Sequence, residues 1–187
     1  PGDATLLKRL ERLGEQAVKR WDAPDAGLWE LRTRQEVHTF SSMMCWAACD
    51  RLARICERLK QTDRAAYWRN HADLIRAGIL ERAWNAELNS FTDAFGGEHP
   101  DASLLLMCEL GFLPADDPRF LGTLAFVEEK LRRGPYLYRY NRPDDFGMPE
   151  TSFNICTFWY IDALAAVGRV EEARDLFENM LACRHPM

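Results

Sequence analysis

The chain has 187 residues, 47% of them hydrophobic and 28% charged, with a formal net charge of -5. That size and balance fit one globular, soluble segment with a sizeable core, and they exclude broad nucleic-acid binding through a basic surface. No apolar run reaches the roughly 18 residues of a membrane span, and the start, Pro1-Gly2-Asp3-Ala4, lacks the basic and apolar stretches of a secretory signal, so a cytoplasmic setting is expected.

Apolar spacing is helical nearly throughout, and no segment alternates as a half-buried strand does. Leu6, Leu7, Leu10, Leu13, Ala17 and Trp21 trace one face of a first helix. A long connection, 22–39, follows it and holds Trp29 and Glu30. Met43, Met44, Trp46, Ala47, Leu52, Ile55, Cys56 and Leu59 mark a second helix, and a third is expected over 63–84. A second long connection, 85–100, carries Phe91 and Phe95 among glycines. The fourth and fifth helices are expected over 101–110 and 117–132, with Asp101 as an N-cap and Gly111 as a C-terminal stop. A third long connection, 133–150, holds Tyr136, Tyr138, Arg139 and Tyr140 beside Asp144 and Asp145. Helices six and seven are expected over 151–167 and 170–182, with Thr151 as an N-cap and Gly168 as a stop. The class is all-α, in a single segment spanning 1–187.

Short connections alternate with long ones. In antiparallel helices alternate loops emerge at one end, so the three long loops are expected on one face. A face rich in aromatic rings and carboxylates suits a sugar, because rings cover the apolar faces of pyranoses and carboxylates bond hydroxyls and exchange protons. Each piece has a plainer reading as well. A Trp-Glu pair is often packing plus a solvated charge, and Tyr138, Arg139 and Tyr140 alone read as a cation–π surface cluster.

Six cysteines and four histidines are present. Cys45, Cys49 and Cys56 share one helix, while Cys108, Cys156 and Cys183 stand apart in apolar segments. No C-x-x-C pair or His cluster completes a zinc shell, so the cysteines read as small, reduced core residues and no metal or cofactor is expected. His38, His71, His99 and His185 are scattered and read as structural or solvent-exposed.

Two stretches carry more specific information. Asp25-Ala-Gly-Leu-Trp-Glu-Leu-Arg32, followed by His38-Thr-Phe-Ser-Ser-Met-Met-Cys-Trp-Ala-Ala-Cys-Asp-Arg51, resembles the signature of glycoside hydrolase family 15, which includes glucoamylases and some bacterial trehalases. Asp144-Asp-Phe-Gly-Met-Pro-Glu-Thr-Ser-Phe-Asn-Ile-Cys-Thr-Phe-Trp-Tyr-Ile-Asp-Ala-Leu164 resembles a later part of the same catalytic domain. Between them Asp101-Ala-Ser-Leu-Leu-Leu106, Gly111-Phe-Leu-Pro114 and Asp117-Pro-Arg119 also fit. The resemblance implies an α/α barrel of six helical hairpins, of which the seven helices form roughly half, from the fifth to the eleventh. It implies that Glu30 is the general acid of an inverting hydrolysis of α-glucosidic bonds. A Glu beside Trp29 in a partly dry pocket has its charged form disfavoured, which suits that role.

The resemblance puts the general base after the eleventh helix, where this chain stops, so the chain is expected to be an incomplete catalytic domain without activity by itself. Glu150, at the end of the third long loop, is the internal candidate for a second carboxylate; its plainer reading is a first-turn helix acid favoured by the macrodipole. Trp29, Arg139, Tyr140 and Glu150 are the expected substrate contacts, and the expected partner is an oligosaccharide or disaccharide. Apolar helix faces left uncovered should make the chain by itself self-associate or be poorly stable. Two rivals stay open. Residues 165–181 look like part of a tetratricopeptide repeat, although no period near 34 recurs. Another α/α-barrel enzyme, a sugar epimerase or lyase, would share the fold but would be expected to use His in its pocket.

Overall fold

The computed structural model describes residues 3–182; Cys183 and His185 lie outside them. Its backbone contacts divide into two compact units, residues 1–83 and residues 84–187.

The first unit holds three helices: α1 (Ala4–Arg20), α2 (Thr39–Arg58) and α3 (Thr62–Arg82). Asp3 caps α1 by accepting from the Leu6 backbone N–H at 2.8 Å. The turn between α2 and α3 is closed by hydrogen bonds from Lys60 N to Glu57 O and from Gln61 N to Cys56 O, with Lys60 at φ +57°. That paired pattern satisfies the last carbonyls of α2 and reverses the chain. Trp68, Ile75, Ile79, Met43, Cys49 and Cys56 form the buried centre. Helix α1 sits close enough that a Cβ on Gly14 would stand 2.4 Å from Leu52 Cδ1 and 2.7 Å from Trp68 Cη2. Polar ties reinforce this packing. Glu11 accepts from Trp68 Nε1 at 3.1 Å and from Arg64 Nε at 2.7 Å, and Asp50 is gripped by Arg51, Arg54 and Arg69 at 2.6, 2.9 and 2.6 Å. Burial alone would raise the Asp50 carboxyl, but the hydrogen bonds from Arg69 and Arg51 outweigh it and hold the group down.

The second unit begins with a ribbon of β1 (Trp84–Asn85) and β2 (Ser90–Phe91). A 3-10 turn (Ala102–Leu105) leads into a short α4 (Leu106–Glu109), followed by α5 (Pro118–Leu131). A second ribbon pairs β3 (Arg132–Arg133) with β4 (Tyr136–Leu137), and α6 (Asn154–Ala166) and α7 (Val170–Ala182) complete the unit. Helix hydroxyls anchor both ribbons: Thr123 Oγ1 accepts from Phe91 N, and Thr157 Oγ1 from Leu137 N, each at 3.0 Å. Gly111 and Gly168 do end their helices, at φ +74° and +88°.

Three expectations need correction. Residues 101–110 are not one α-helix, because the Asp101 carboxylate takes both the N–H and the hydroxyl of Ser103 and draws the chain into a tighter turn first. Thr151 is not an N-cap. Phe153 is the N-cap instead, with an extended backbone and its N–H donating to Leu137 O at 3.1 Å, so the helix starts at Asn154. Helix α3 stops at Arg82, because Trp84 pairs with Phe91 in the first ribbon.

Cys49, Cys56 and Cys156 are fully buried and unbridged, as small core residues should be. No described helix is long and apolar enough to cross a membrane.

An ionic network ties α5 to α6 and α7. Arg169 contacts both carboxylate oxygens of Glu128, at 2.8 and 2.9 Å, and Arg132 Nη1 reaches Glu128 at 2.9 Å and Glu172 at 2.8 Å. The Tyr160 hydroxyl donates to Glu128 as well. The Arg169 hydrogen bonds bring the Glu128 carboxyl down to about 2, against the opposing effect of burial and with help from Tyr160 and Arg132. A folded value below the unfolded one stabilises above the unfolded value and is lost as pH falls through the folded one. Thermal melts across about pH 6 to 2 should therefore show stability falling from about pH 4.5 downward, more steeply than in Glu128→Gln. Equal acid sensitivity in the two proteins would remove Glu128 from the account.

Candidate functional site

The connection between α1 and α2 is a closed loop. Asp25 and Glu36 exchange backbone hydrogen bonds, at 2.9 Å from Asp25 N and 3.2 Å from Glu36 N. Ser42 pins the loop ends, its hydroxyl donating to Trp21 O at 2.6 Å and to His38 O at 3.1 Å. Inside, Asp25 Oδ1 accepts from Gly27 N at 2.8 Å, and Gly27 and Ala26 carbonyls accept from Glu30 N and Leu31 N at 3.2 and 2.9 Å. Two residues of this turn have left-handed backbones, Gly27 at φ +69° and Glu30 at φ +53°. Glycine adopts that conformation freely, whereas a glutamate does so at an energetic cost that surrounding structure must offset. Side chains so held cluster at functional sites. Leu31 is buried, Trp29 half-buried and Glu30 exposed. The partly dry setting expected for Glu30 is thus not supplied by the residues of this unit, in which Glu30 is exposed.

In the second unit Arg139, Tyr140 and Asp144 come together. The Tyr140 hydroxyl donates to Asp144 Oδ2 at 2.7 Å, Arg139 Nη2 lies 3.5 Å from the same oxygen, and the guanidinium stands 5.2 Å over the Tyr140 ring and 6.0 Å from the Phe153 ring. Burial, then the hydrogen bond to Asp144, pushes the Tyr140 phenol up to about 12. That hydrogen bond and the Phe146 N–H hold the Asp144 carboxyl below its usual range. Tyr140 is only 4% exposed, and its hydroxyl proton is engaged by Asp144. Asp144 also turns the chain back through backbone bonds with Gly147, presenting Phe146 at 89% exposure.

Two of the three long loops meet in this unit. Arg142 Nη2 pairs with Asp93 Oδ2 at 2.8 Å, and Asp101 forms a bridge with Tyr140. Phe91 is fully buried in the core, so it leaves the site, while Phe95 stays half-buried. Glu150 is exposed and lies before the start of α6, which removes its reading as a first-turn helix acid. Its carbonyl accepts from the Tyr138 hydroxyl at 2.8 Å. Trp29 and Glu30 belong to the first unit, and Arg139, Tyr140 and Glu150 to the second. The signal for Asp144 in the sequence is its spacing to Gly147, the pattern of a tight turn. Among the described residues no group of three His, Cys, Asp or Glu side chains is placed to hold a metal.

Residues 11–184 match the profile of Glycosyl hydrolases family 15. A trehalase of Mycobacterium tuberculosis is 41% identical over 181 residues, which is 95% of this chain and 26% of that protein. A trehalase of Thermoplasma volcanium is 36% identical over 162 residues, 86% of this chain and 26% of that protein. The chain therefore spans about a quarter of the length of these relatives. Among solved structures, a glycosidase variant in complex with glucose superposes with a TM-score of 0.73 at 20% identity, over 86% of this chain and 42% of that one. A bacterial glucoamylase complexed with acarbose gives 0.68 at 19% identity, over 90% and 31%. These are likenesses of fold, and they agree with an all-α portion of an α/α barrel. The tetratricopeptide reading of 165–181 falls, because those residues lie inside the family match.

Proposed function

Because this chain belongs to glycosyl hydrolase family 15, we propose that the whole protein hydrolyses α-glucosidic bonds with inversion, with trehalose as its substrate and Glu30 as the general acid. The names of the 41% and 36% identical relatives favour trehalose over starch-type or isomalto-linked glucans. The observation that carries the assignment of Glu30 is its left-handed backbone, at φ +53°, on a loop closed by the Asp25–Glu36 bridge. A glutamate held there is oriented by the loop and not by its own preference.

In the proposed reaction the Glu30 carboxyl gives its proton to the departing glycosidic oxygen, and a second carboxylate activates water on the opposite face of the sugar. Trp29 offers a ring against an apolar sugar face, and Arg139 offers hydrogen-bond donors to hydroxyls, its guanidinium steadied by Tyr140 and Asp144. Glu150, exposed at the end of its loop, is this chain's candidate for a bond to a sugar hydroxyl or for the role of second carboxylate. Exposed apolar side chains on α1, α2 and α3, among them Leu6, Leu13, Met44 and Leu74, support self-association of the chain by itself.

The test uses the full-length protein with trehalose, maltose and isomaltose, followed by proton NMR before the anomers equilibrate. Inversion at trehalose releases one β- and one α-glucose per turnover, whereas retention would release α-glucose alone. Trehalose should turn over fastest and give both anomers. A folded protein inert on all three sugars would overturn the proposal.

A further inference from the structure

His38 occupies the N-cap position of α2, where Ser, Thr, Asp or Asn would ordinarily bond the first free N–H groups of the helix. Its side chain makes no capping hydrogen bond. It is instead only 8% exposed, and its Nε2 has no hydrogen-bond partner. A buried ring nitrogen left unpaired is uncommon enough to need a reason. The reason lies in what the ring faces. A Cβ built on Gly27 would stand 2.9 Å from both His38 Cδ2 and Nε2, so the flat imidazole lies directly against the Gly27 backbone. The contact needs a planar group on one side and no side chain on the other.

Gly27 is one hydrogen bond away from Glu30, whose N–H donates to the Gly27 carbonyl. Both residues have positive φ. The Asp25–Glu36 bridge and Ser42 hold the loop at its base. Within the turn, the imidazole is a surface against which the Gly27 backbone rests, next to the carbonyl that Glu30 N–H bonds.

We propose that His38 is a positioning residue for Glu30: its buried ring, set against Gly27, fixes the turn that orients the Glu30 carboxyl. The inference rests on the reading of Glu30 as general acid. It assigns no proton transfer to His38, because Nε2 has no partner with which to exchange one. A misplaced acid penalises substrates whose leaving group needs a proton and spares those whose leaving group does not.

The experiment compares trehalose with α-glucosyl fluoride, whose fluoride departs without protonation, in the full-length protein. His38→Ala and Gly27→Ala should each lower kcat on trehalose by about 10²-fold. Turnover of the fluoride should stay within about tenfold, and KM for trehalose should change little. Glu30→Gln is run beside them. If Glu30→Gln lacks this selective loss, the reading of Glu30 has failed, whatever His38 does. If Glu30→Gln shows it but the His38 and Gly27 variants slow both substrates equally, or neither, then His38 merely fills space and the inference is overturned. His38→Gln, which keeps much of the volume without the flat ring, decides the matter should His38→Ala not fold, and it should show the same selective loss.

Discussion

Glu30→Gln in the full-length protein should lower kcat on trehalose by about 10²- to 10⁴-fold, the usual contribution of a positioned general acid. The amide keeps the size of the side chain and its place on the loop but has no proton of suitable acidity to give. The fall should appear in kcat and in kcat/KM alike, because the interaction is made only as the bond breaks. α-Glucosyl fluoride separates this from simple damage, since its cleavage needs no proton from the enzyme. Glu30 is exposed within its own unit, so the substitution should leave the melting temperature nearly unchanged. An unchanged rate on trehalose, or an equal loss on both substrates, would strip Glu30 of its role.

The second large effect is on stability. Trp68→Ala should cost about 3–5 kcal/mol, the range for emptying a buried aromatic site. Trp68 has no exposed surface, and it packs where α1 comes closest, against Gly14. Glu11 and Arg64 also bind each other across the same contact at 2.6 Å, which ties α1 to α3 at their present spacing. The indole also donates to Glu11, a bond that alanine would forfeit. Against a total of roughly 5–15 kcal/mol for a typical domain, such a loss is large enough to abolish a cooperative transition of the first unit. Denaturant unfolding of the wild type and variant measures it, and a difference below about 1 kcal/mol would mean that this contact is looser than its geometry implies.

The helix ends show how far local pattern reaches. Gly111 and Gly168 were readable as stops because glycine is the residue that adopts a positive φ without penalty. Both sit in the same paired hydrogen-bond pattern that also ends α2. At α2 the position is taken by Lys60, at φ +57°, and nothing in its identity announces the turn. The N-terminal ends divide similarly. Asp3, Asp101 and Asp117 each accept a backbone N–H two or three residues on, as short carboxylates do from local spacing alone. Thr151 offered the same local signal and failed, because Leu137, distant in sequence, captured the Phe153 N–H first.

Features set by near neighbours in the chain were legible in the sequence: the all-α class, six of the seven helices to within a few residues, and the Trp29-Glu30 motif with its family. Tertiary structure decided what depends on residues far apart. It closed the Asp25–Glu36 loop, set Glu30 in a left-handed conformation, buried Tyr140 against Asp144, joined Asp93 to Arg142, and slid the His38 ring beneath Gly27. Helical periodicity repeats every 3.6 residues and is written along the chain. A pairing between loops obeys no such period; its partners are chosen by packing once the helices have assembled.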